Sequence, residues 1–350
     1  MTARPRPRRR ARLALLAAVV GGCTLGVAVP AQAADLFRVE GANRVATAVA
    51  AAQSFAHGGA AAVVLARSDS YADSLAAAPL ASDRGGPLLL NRPDVLEPQV
   101  RDAILDVLAP GGTVYLLGGD NALSPAVADA VRSLPGVGGV ERIAGSNRYA
   151  TAVAVASKLP ASRNVALVTG LNFPDGLAAG ALMGVVDSET QHSLGVVLLT
   201  QGPTMPAETR DLLRSRSWNI ALAVGGPAAQ AAQGTISART VSGSGRFETG
   251  AAVAGLFASD KFFKDGTTRV GIATGENWPD ALSGSALMAY GGGPLILTAR
   301  DTLPSASRQA LVDLQKDSRS AGSSIVEAHM FGGTTAISPT VEAQVGDALR

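Results

Sequence analysis

Three arginines occupy an electrostatically awkward place. The stretches "GANRVATAVA" from Gly41, "GSNRYATAVA" from Gly145 and "GSGRFETGAA" from Gly243 put Arg44, Arg148 and Arg246 where a helix is predicted to begin. A helix N-terminus carries partial positive charge, so a cation there needs an anion beside it, from the protein or from a ligand. Three aspartates, Asp73, Asp175 and Asp280, recur in "SYADSLAAAPLA", "NFPDGLAAGALM" and "NWPDALSGSALM", each two residues after an aromatic: Tyr71, Phe173 and Trp278. Aromatics make up only 4% of the chain, so this repeated placement is informative.

Two chemistries fit this set. Arginine and aspartate can pair and pin helix starts together, with the aspartate as a helix N-cap and the aromatic plugging a strand edge. Alternatively, the arginine, the helix N–H groups and an aromatic rim can hold an anionic sugar or phosphate. Catalysis finds no comparable support. His57, His192 and His329 do not fall at equivalent positions, and no H-E-x-x-H, G-x-S-x-G or cysteine pair occurs. No catalytic residue, metal ligand or cofactor is expected.

These residues belong to a repeat. "RVEGANRVAT" (Arg38), "RIAGSNRYAT" (Arg142) and "TVSGSGRFET" (Thr240) begin 104 and 98 residues apart. The aspartate motif follows each, then "GGPLLLN", "LGVVLLT" and "GGPLILT", then "VYLLGGDNALS", "LAVGGPAAQ" and "HMFGGTTAIS". Four blocks in one order define a unit of about a hundred residues, the size of a small domain. In the first copy Ala61–Ala66, Pro87–Leu90 and Thr113–Gly119 read as fully apolar strands of a parallel sheet. Helices are predicted from Asp73, from Glu97 and from Ser124, an N-cap followed by Pro125. Strand–helix alternation implies right-handed crossovers, so each unit is expected to be a small parallel α/β sandwich. The aspartates then lie at the C-terminal edge of the sheet, where open α/β folds bind ligands. The double glycine after the third strand lets the chain turn sharply, and no G-K-[ST] follows to make a P-loop.

Residues 1–33 read as a secretory signal: a basic start, a short apolar run and "AQA" at Ala31–Ala33. The predicted mature N-terminus is Ala34, with acylation of Cys23 after "VGG" as the minor alternative. The signal holds six of the 30 basic residues and none of the 28 acidic ones, so the mature chain carries 24 − 28 = −4. That charge argues against nucleic acid. Cleavage removes the single cysteine, leaving a core to supply stability without disulfides. No later apolar run is long enough for a membrane span.

The ordered motifs resemble the cell wall binding repeat 2 family, over nearly the whole mature chain. The resemblance implies small α/β, Toprim-like modules at 34–139, 140–238 and 239–350, set in a pseudo-threefold arrangement. It implies an exported, monomeric surface protein held non-covalently to an anionic cell-wall polymer. Its ligand residues would be Arg44, Arg148, Arg246, Asp73, Asp175, Asp280, Tyr71, Phe173 and Trp278. The copies depart from the pattern at Thr240, Gly245, Val45 and Ala72. A wall-modifying hydrolase using Asp175 and a protein-binding scaffold are the alternatives. Neither "PGVGGVE" (Pro135–Glu141) nor "TISARTV" (Thr235–Val241) reads as a free tether, which favours intramolecular ring closure.

Overall fold

The computed structural model describes residues 33–55, 57–159, 162–259 and 266–350; the predicted signal and Cys23 lie outside them, except Ala33. In chain order, β1 (Asp35–Val39) and α1 (Arg44–Ala52) are followed by β2 (Ala60–Arg67), α2 (Ala78–Asp83), β3 (Leu88–Asn91), α3 (Pro98–Val107), β4 (Leu108–Leu117), α4 (Pro125–Arg132) and β5 (Val137–Ile143). Next come α5 (Arg148–Ser157), β6 (Asn164–Thr169), α6 (Pro174–Met183), β7 (Gly195–Thr200), α7 (Ala207–Ser215), β8 (Ile220–Val224), α8 (Gly226–Ala232) and β9 (Arg239–Val241). The last stretch is α9 (Arg246–Ala254), α10 (Leu256–Ser259), β10 (Arg269–Thr274), α11 (Pro279–Gly291), β11 (Leu295–Thr298), α12 (Ser305–Ser320), β12 (Glu327–Phe331) and α13 (Pro339–Ala348).

The strands form three four-stranded sheets with orders β3-β2-β4-β5, β7-β6-β8-β9 and β1-β12-β10-β11, here modules I, II and III. Every pairing within them is parallel. The inner strands β2, β6 and β10 are apolar and buried, as a sheet covered on both faces requires.

The sheets and the sequence repeats are out of phase by one strand. The strand that opens each repeat joins the sheet of the preceding module: β5 completes module I, β9 completes module II, and β1 completes module III. The helix after it does not follow. α1, α5 and α9 pack against β3, β7 and β11, in the module to which their own repeat gives the other strands. Each "G-x-N-R" turn therefore crosses from one module to the next. Because β1 pairs with β12, with Asp35 opposite Glu327, the three modules close into a ring.

The motif helices α2, α6 and α11 meet at the centre. α11 packs on both α2 and α6, and small residues allow the approach. A Cβ on Gly184 would stand 2.6 Å from the Ala289 Cβ and 3.1 Å from Pro79 Cα, and one on Gly180 would stand 2.7 Å from the Ser285 hydroxyl. The Ser285 hydroxyl donates to the Leu177 carbonyl at 2.8 Å. In place of the amphipathic face of a surface helix, α6 is buried all round apart from the half-buried Asp175.

The predicted helix from Asp73 starts later, at Ala78. Proline cannot donate to the carbonyl four residues back, so Pro79 cannot continue a helix from Asp73, whereas a first-turn proline costs nothing. Pro174 and Pro279 open α6 and α11 in that way; the first repeat has Ala72 there. The helices predicted from Glu97 and Ser124 form as α3 and α4, with Ser124 Oγ accepting from Val127 N at 3.3 Å.

Candidate functional site

The three arginines stand at equivalent first positions of α1, α5 and α9. Each reaches the carbonyl just past the end of its module's inner strand. Arg44 Nη1 donates to Ser68 O at 2.8 Å, Arg148 Nη1 to Gly170 O at 2.5 Å and Arg246 Nη1 to Gly275 O at 2.6 Å. Among the described residues, none of these guanidiniums has a carboxylate within 4 Å. Arg148 and Arg246 are half-buried and Arg44 is exposed.

The aspartates share their surroundings with the arginine of the following repeat. Asp73 lines a cleft of about 440 Å³ with Gly119, Asn121 and Arg148, and Asp175 lines one of about 610 Å³ with Gly225, Arg246 and Thr249. Asp280 feels Arg44 and the Thr47 hydroxyl, closing the cycle. Pairing of Arg148 with Asp175, the partner within its own repeat, is therefore not what forms. The strand exchange sets Arg148 opposite Asp73 and Asp175 opposite Arg246. The three seams, I–II, II–III and III–I, each hold one such set.

Each carboxylate is seated against the first glycine of the double-glycine turn. Gly118, Gly225 and Gly332 have φ of +86°, +87° and +106°, a region side chains avoid. A Cβ there would lie 2.6 Å from Asp73 Oδ2, 2.1 Å from Asp175 Oδ2 or 2.7 Å from Asp280 Oδ2. The sharp turn expected of this motif is thus also the wall of the carboxylate seat. Burial pushes the Asp175 carboxyl up to about 6, against the opposing pull of Arg246. Asp280 is likewise raised by burial, with Thr47 and Arg44 opposing.

The aspartates are not N-caps. Phe173 and Trp278 occupy the cap positions of α6 and α11 without a side-chain hydrogen bond, and Asp175 and Asp280 fall in the first turn. The capping residues are Asn43 and Asn147, whose Oδ1 atoms accept from the N–H groups two and three residues on at 2.9–3.0 Å. A second overlooked group is the threonine three residues after each arginine, on the same helix face. Thr47, Thr151 and Thr249 are buried. Thr151 Oγ1 donates to Asp73 Oδ1 at 2.8 Å and accepts from Gly145 N at 3.1 Å. "RVAT", "RYAT" and "RFET" carried that signal in the repeat.

The aromatics converge instead of rimming three separate clefts. Tyr71 meets Phe173 edge-on at 5.7 Å and Trp278 at 6.1 Å between ring centroids. The Arg44 guanidinium lies 5.5 Å from the Trp278 ring centre, and that of Arg148 lies 5.7 Å from the Tyr71 ring centre, within cation–π range. Arg148 is thus shared between its cleft and the central aromatic cluster, and Arg44 joins the cluster at the third seam.

The opening arginines of the first two repeats act as clamps. Arg142 donates from Nη1 to Gly118 O at 2.9 Å and Gly119 O at 3.1 Å, and from Nη2 to Leu123 O at 2.7 Å. Arg38 does the same across the ring closure, to Gly332 O at 2.9 Å and Ile337 O at 3.2 Å, and also binds Glu342. The third repeat has Thr240 in this place.

No group of histidine, cysteine, aspartate and glutamate able to hold a metal occurs among the described residues. Nor is any helix among them long and apolar enough to cross a membrane.

Three arginine–aspartate seams in a ring of parallel α/β modules define a repeat-built fold with its polar groups gathered where modules meet. The chain belongs to the cell wall binding domain 2 family, whose model matches residues 38–128, 142–233 and 240–342. It is 28% identical over 337 residues to the N-acetylmuramoyl-L-alanine amidase LytC of Bacillus subtilis (strain 168), covering 94% of this chain and 61% of that enzyme. Its fold is similar to that of Cwp6 from Clostridium difficile (TM-score 0.75, 20% identity, 91% of this chain and 48% of that one). Cwp8 from the same organism gives a TM-score of 0.74 at 22% identity, over 90% of this chain and 51% of that one. The chain spans less than two thirds of the length of each of these relatives.

Proposed function

We propose that this chain is an exported protein that attaches non-covalently to an anionic polymer of the cell wall through its three seams. The observation that carries the reading is the threefold recurrence of an arginine beside a half-buried aspartate at the sheet edge, without a close ion pair among the described residues. A guanidinium held by one carbonyl keeps donors for a phosphate or carboxylate. Three such sites on one rigid body make later contacts intramolecular, so weak single sites sum to firm retention on a repeating polymer. Family membership supports the same reading.

The test is retention on protein-stripped walls, before and after chemical removal of secondary polymers. The triple variant Arg44→Gln, Arg148→Gln, Arg246→Gln is expected to fold and to lose retention. Each single variant is expected to weaken binding roughly ten- to a hundredfold at its site. A folded triple variant retained like the wild type overturns the reading. Retention that survives polymer removal points to the scaffold reading instead. N-terminal sequencing of the exported protein is expected to begin at Ala34, and an acylated Cys23 would replace that cleavage.

A hydrolase is the second reading, favoured by the similarity to the amidase and by an Asp175 able to hold a proton near pH 6. Release of soluble wall fragments by the wild type but not by Asp175→Asn would establish it.

A further inference from the structure

The II–III seam differs from a simple cationic pocket in its charge balance. Asp175 and Arg246 are its charged lining residues, so the ionised carboxylate offsets the guanidinium. Of the charges on the surrounding elements, Arg246 is the one that acts on the Asp175 carboxyl, against its burial. From α9 come Arg246 and Thr249, and the Glu248 carboxylate stands behind the cleft wall at Gly245, where a Cβ would lie 2.9 Å from its Oε2. The β8–α8 turn contributes Gly225, Gly226 and Pro227. α2 with the turn before it, and α11, meet α6 through Leu75, Ala78, Ser285 and Ala289. The carboxylate is seated against Gly225, where a Cβ would come within 2.1 Å of its Oδ2, and it borders the cleft on its other side.

Resting on the anion-binding reading above, we propose that the II–III seam is a proton-gated anion site, in which protonation of Asp175 releases Arg246 from the carboxylate facing it to take a phosphate or carboxylate of the wall polymer. The cleft loses the negative charge nearest Arg246 when Asp175 takes a proton. A carboxylate beside a bound anion disfavours it, and the anion in turn favours the protonated acid, so binding and proton uptake are linked. The burial that raises the Asp175 carboxyl to about 6 sets the window: gating falls across mildly acidic pH, with tighter binding on the acid side. The protein would then grip a wall more firmly where the local pH is low.

The experiment titrates the full chain with inorganic sulfate, which stays ionised throughout, at pH 5.0 and 7.5 by calorimetry. In parallel, retention on protein-stripped walls is measured at the same two pH values. The wild type is expected to bind sulfate about tenfold more tightly at pH 5.0, a coupling of about one pKa unit. Asp175→Asn is expected to bind at both pH values as the wild type does at pH 5.0, and Arg246→Gln to remove the pH-dependent component. A wild-type affinity that does not change with pH, an Asp175→Asn that keeps the full pH dependence, or no sulfate binding at either pH overturns the proposal. Wall retention unaffected by pH, alongside such a result, leaves the wall-binding reading standing. Gated sulfate binding without wall retention does the reverse.

Discussion

The I–II and II–III seams are built from the same motif and held together differently. At I–II the joining strand β5 runs seven residues, Arg142 clamps three carbonyls of the receiving module, and Asn147 caps α5 while its amide donates to Glu208 at 2.8 Å. At II–III the joining strand β9 has three residues, Thr240 replaces the clamp, and Gly245 replaces the cap. The cleft there is larger, about 610 Å³ against 440 Å³. What both seams keep is the glycine, the aspartate, the arginine and the threonine. The clamp and the cap serve cohesion and can be lost at one seam of a closed ring; the other four groups define the cleft.

The largest effect should come from breaking the common part. Gly225→Ala puts a methyl group 2.1 Å from Asp175 Oδ2 at a φ of +87°. It is expected to cost at least about 3 kcal/mol in denaturant unfolding, from strain and overpacking together. Asp175→Ala in the same chain should recover part of that loss, since it removes the clash but not the strained φ. An equal loss in the single and double variants would show that the carboxylate seat is not the cause.

Next in size is the ionisation of Asp175. Burial pushes its carboxyl up to about 6, above the ordinary aspartate value of 3.8. The folded state therefore prefers the proton, and stability is full below about pH 4 and falls as pH rises through 6. The shift of about two units corresponds to about 3 kcal/mol at most. Asp175→Asn is expected to be the more stable protein at pH 7.5, with the difference vanishing near pH 4. Parallel unfolding curves at all pH values would contradict it.

The clamp discriminates the seams most directly. Arg142→Ala should destabilise by roughly 2 kcal/mol, because charge-assisted bonds to three carbonyls are lost. Thr240→Arg, which restores the missing clamp, is expected to raise stability by about 1 kcal/mol. The smallest effects are the caps: Asn147→Ala should cost about 1 kcal/mol and Gly245→Asn gain a few tenths. Thermal unfolding of the four variants ranks them. If Thr240→Arg destabilises, the two seams differ in backbone path and not only in side chains.

Much of this was legible in the residues. The threefold period, the apolar strands and the Arg, Asp and aromatic positions all followed from repetition and periodicity. The partner of Arg148 did not. A translational repeat looks identical whether its first strand folds into its own module or into the preceding one, so Asp175 and Asp73 were equally good candidates by spacing. The late start of α2 is written in Pro79, whose missing N–H bars it from the interior of a helix begun at Asp73. The Asn43 and Asn147 caps were visible too, but Asp175 was the more familiar capping residue. That Tyr71, Phe173 and Trp278 touch depends on three helices meeting at one point, which no local pattern encodes.

The pairing of β1 with β12 also dictates an order of events. Asp35 lies opposite Glu327, so almost the whole chain separates two strands that must lie side by side, while β2 and β3 pair across about two dozen residues. Closing so long a loop is the entropically costly step, and contacts this distant form late. Modules I and II can complete their sheets as the chain emerges from its N-terminal end, while β1 waits for its neighbour. Ring closure is then the last and slowest step of folding. Linking the ends and reopening the chain between modules would turn that remote pairing into a local one, and the permuted protein is expected to refold faster.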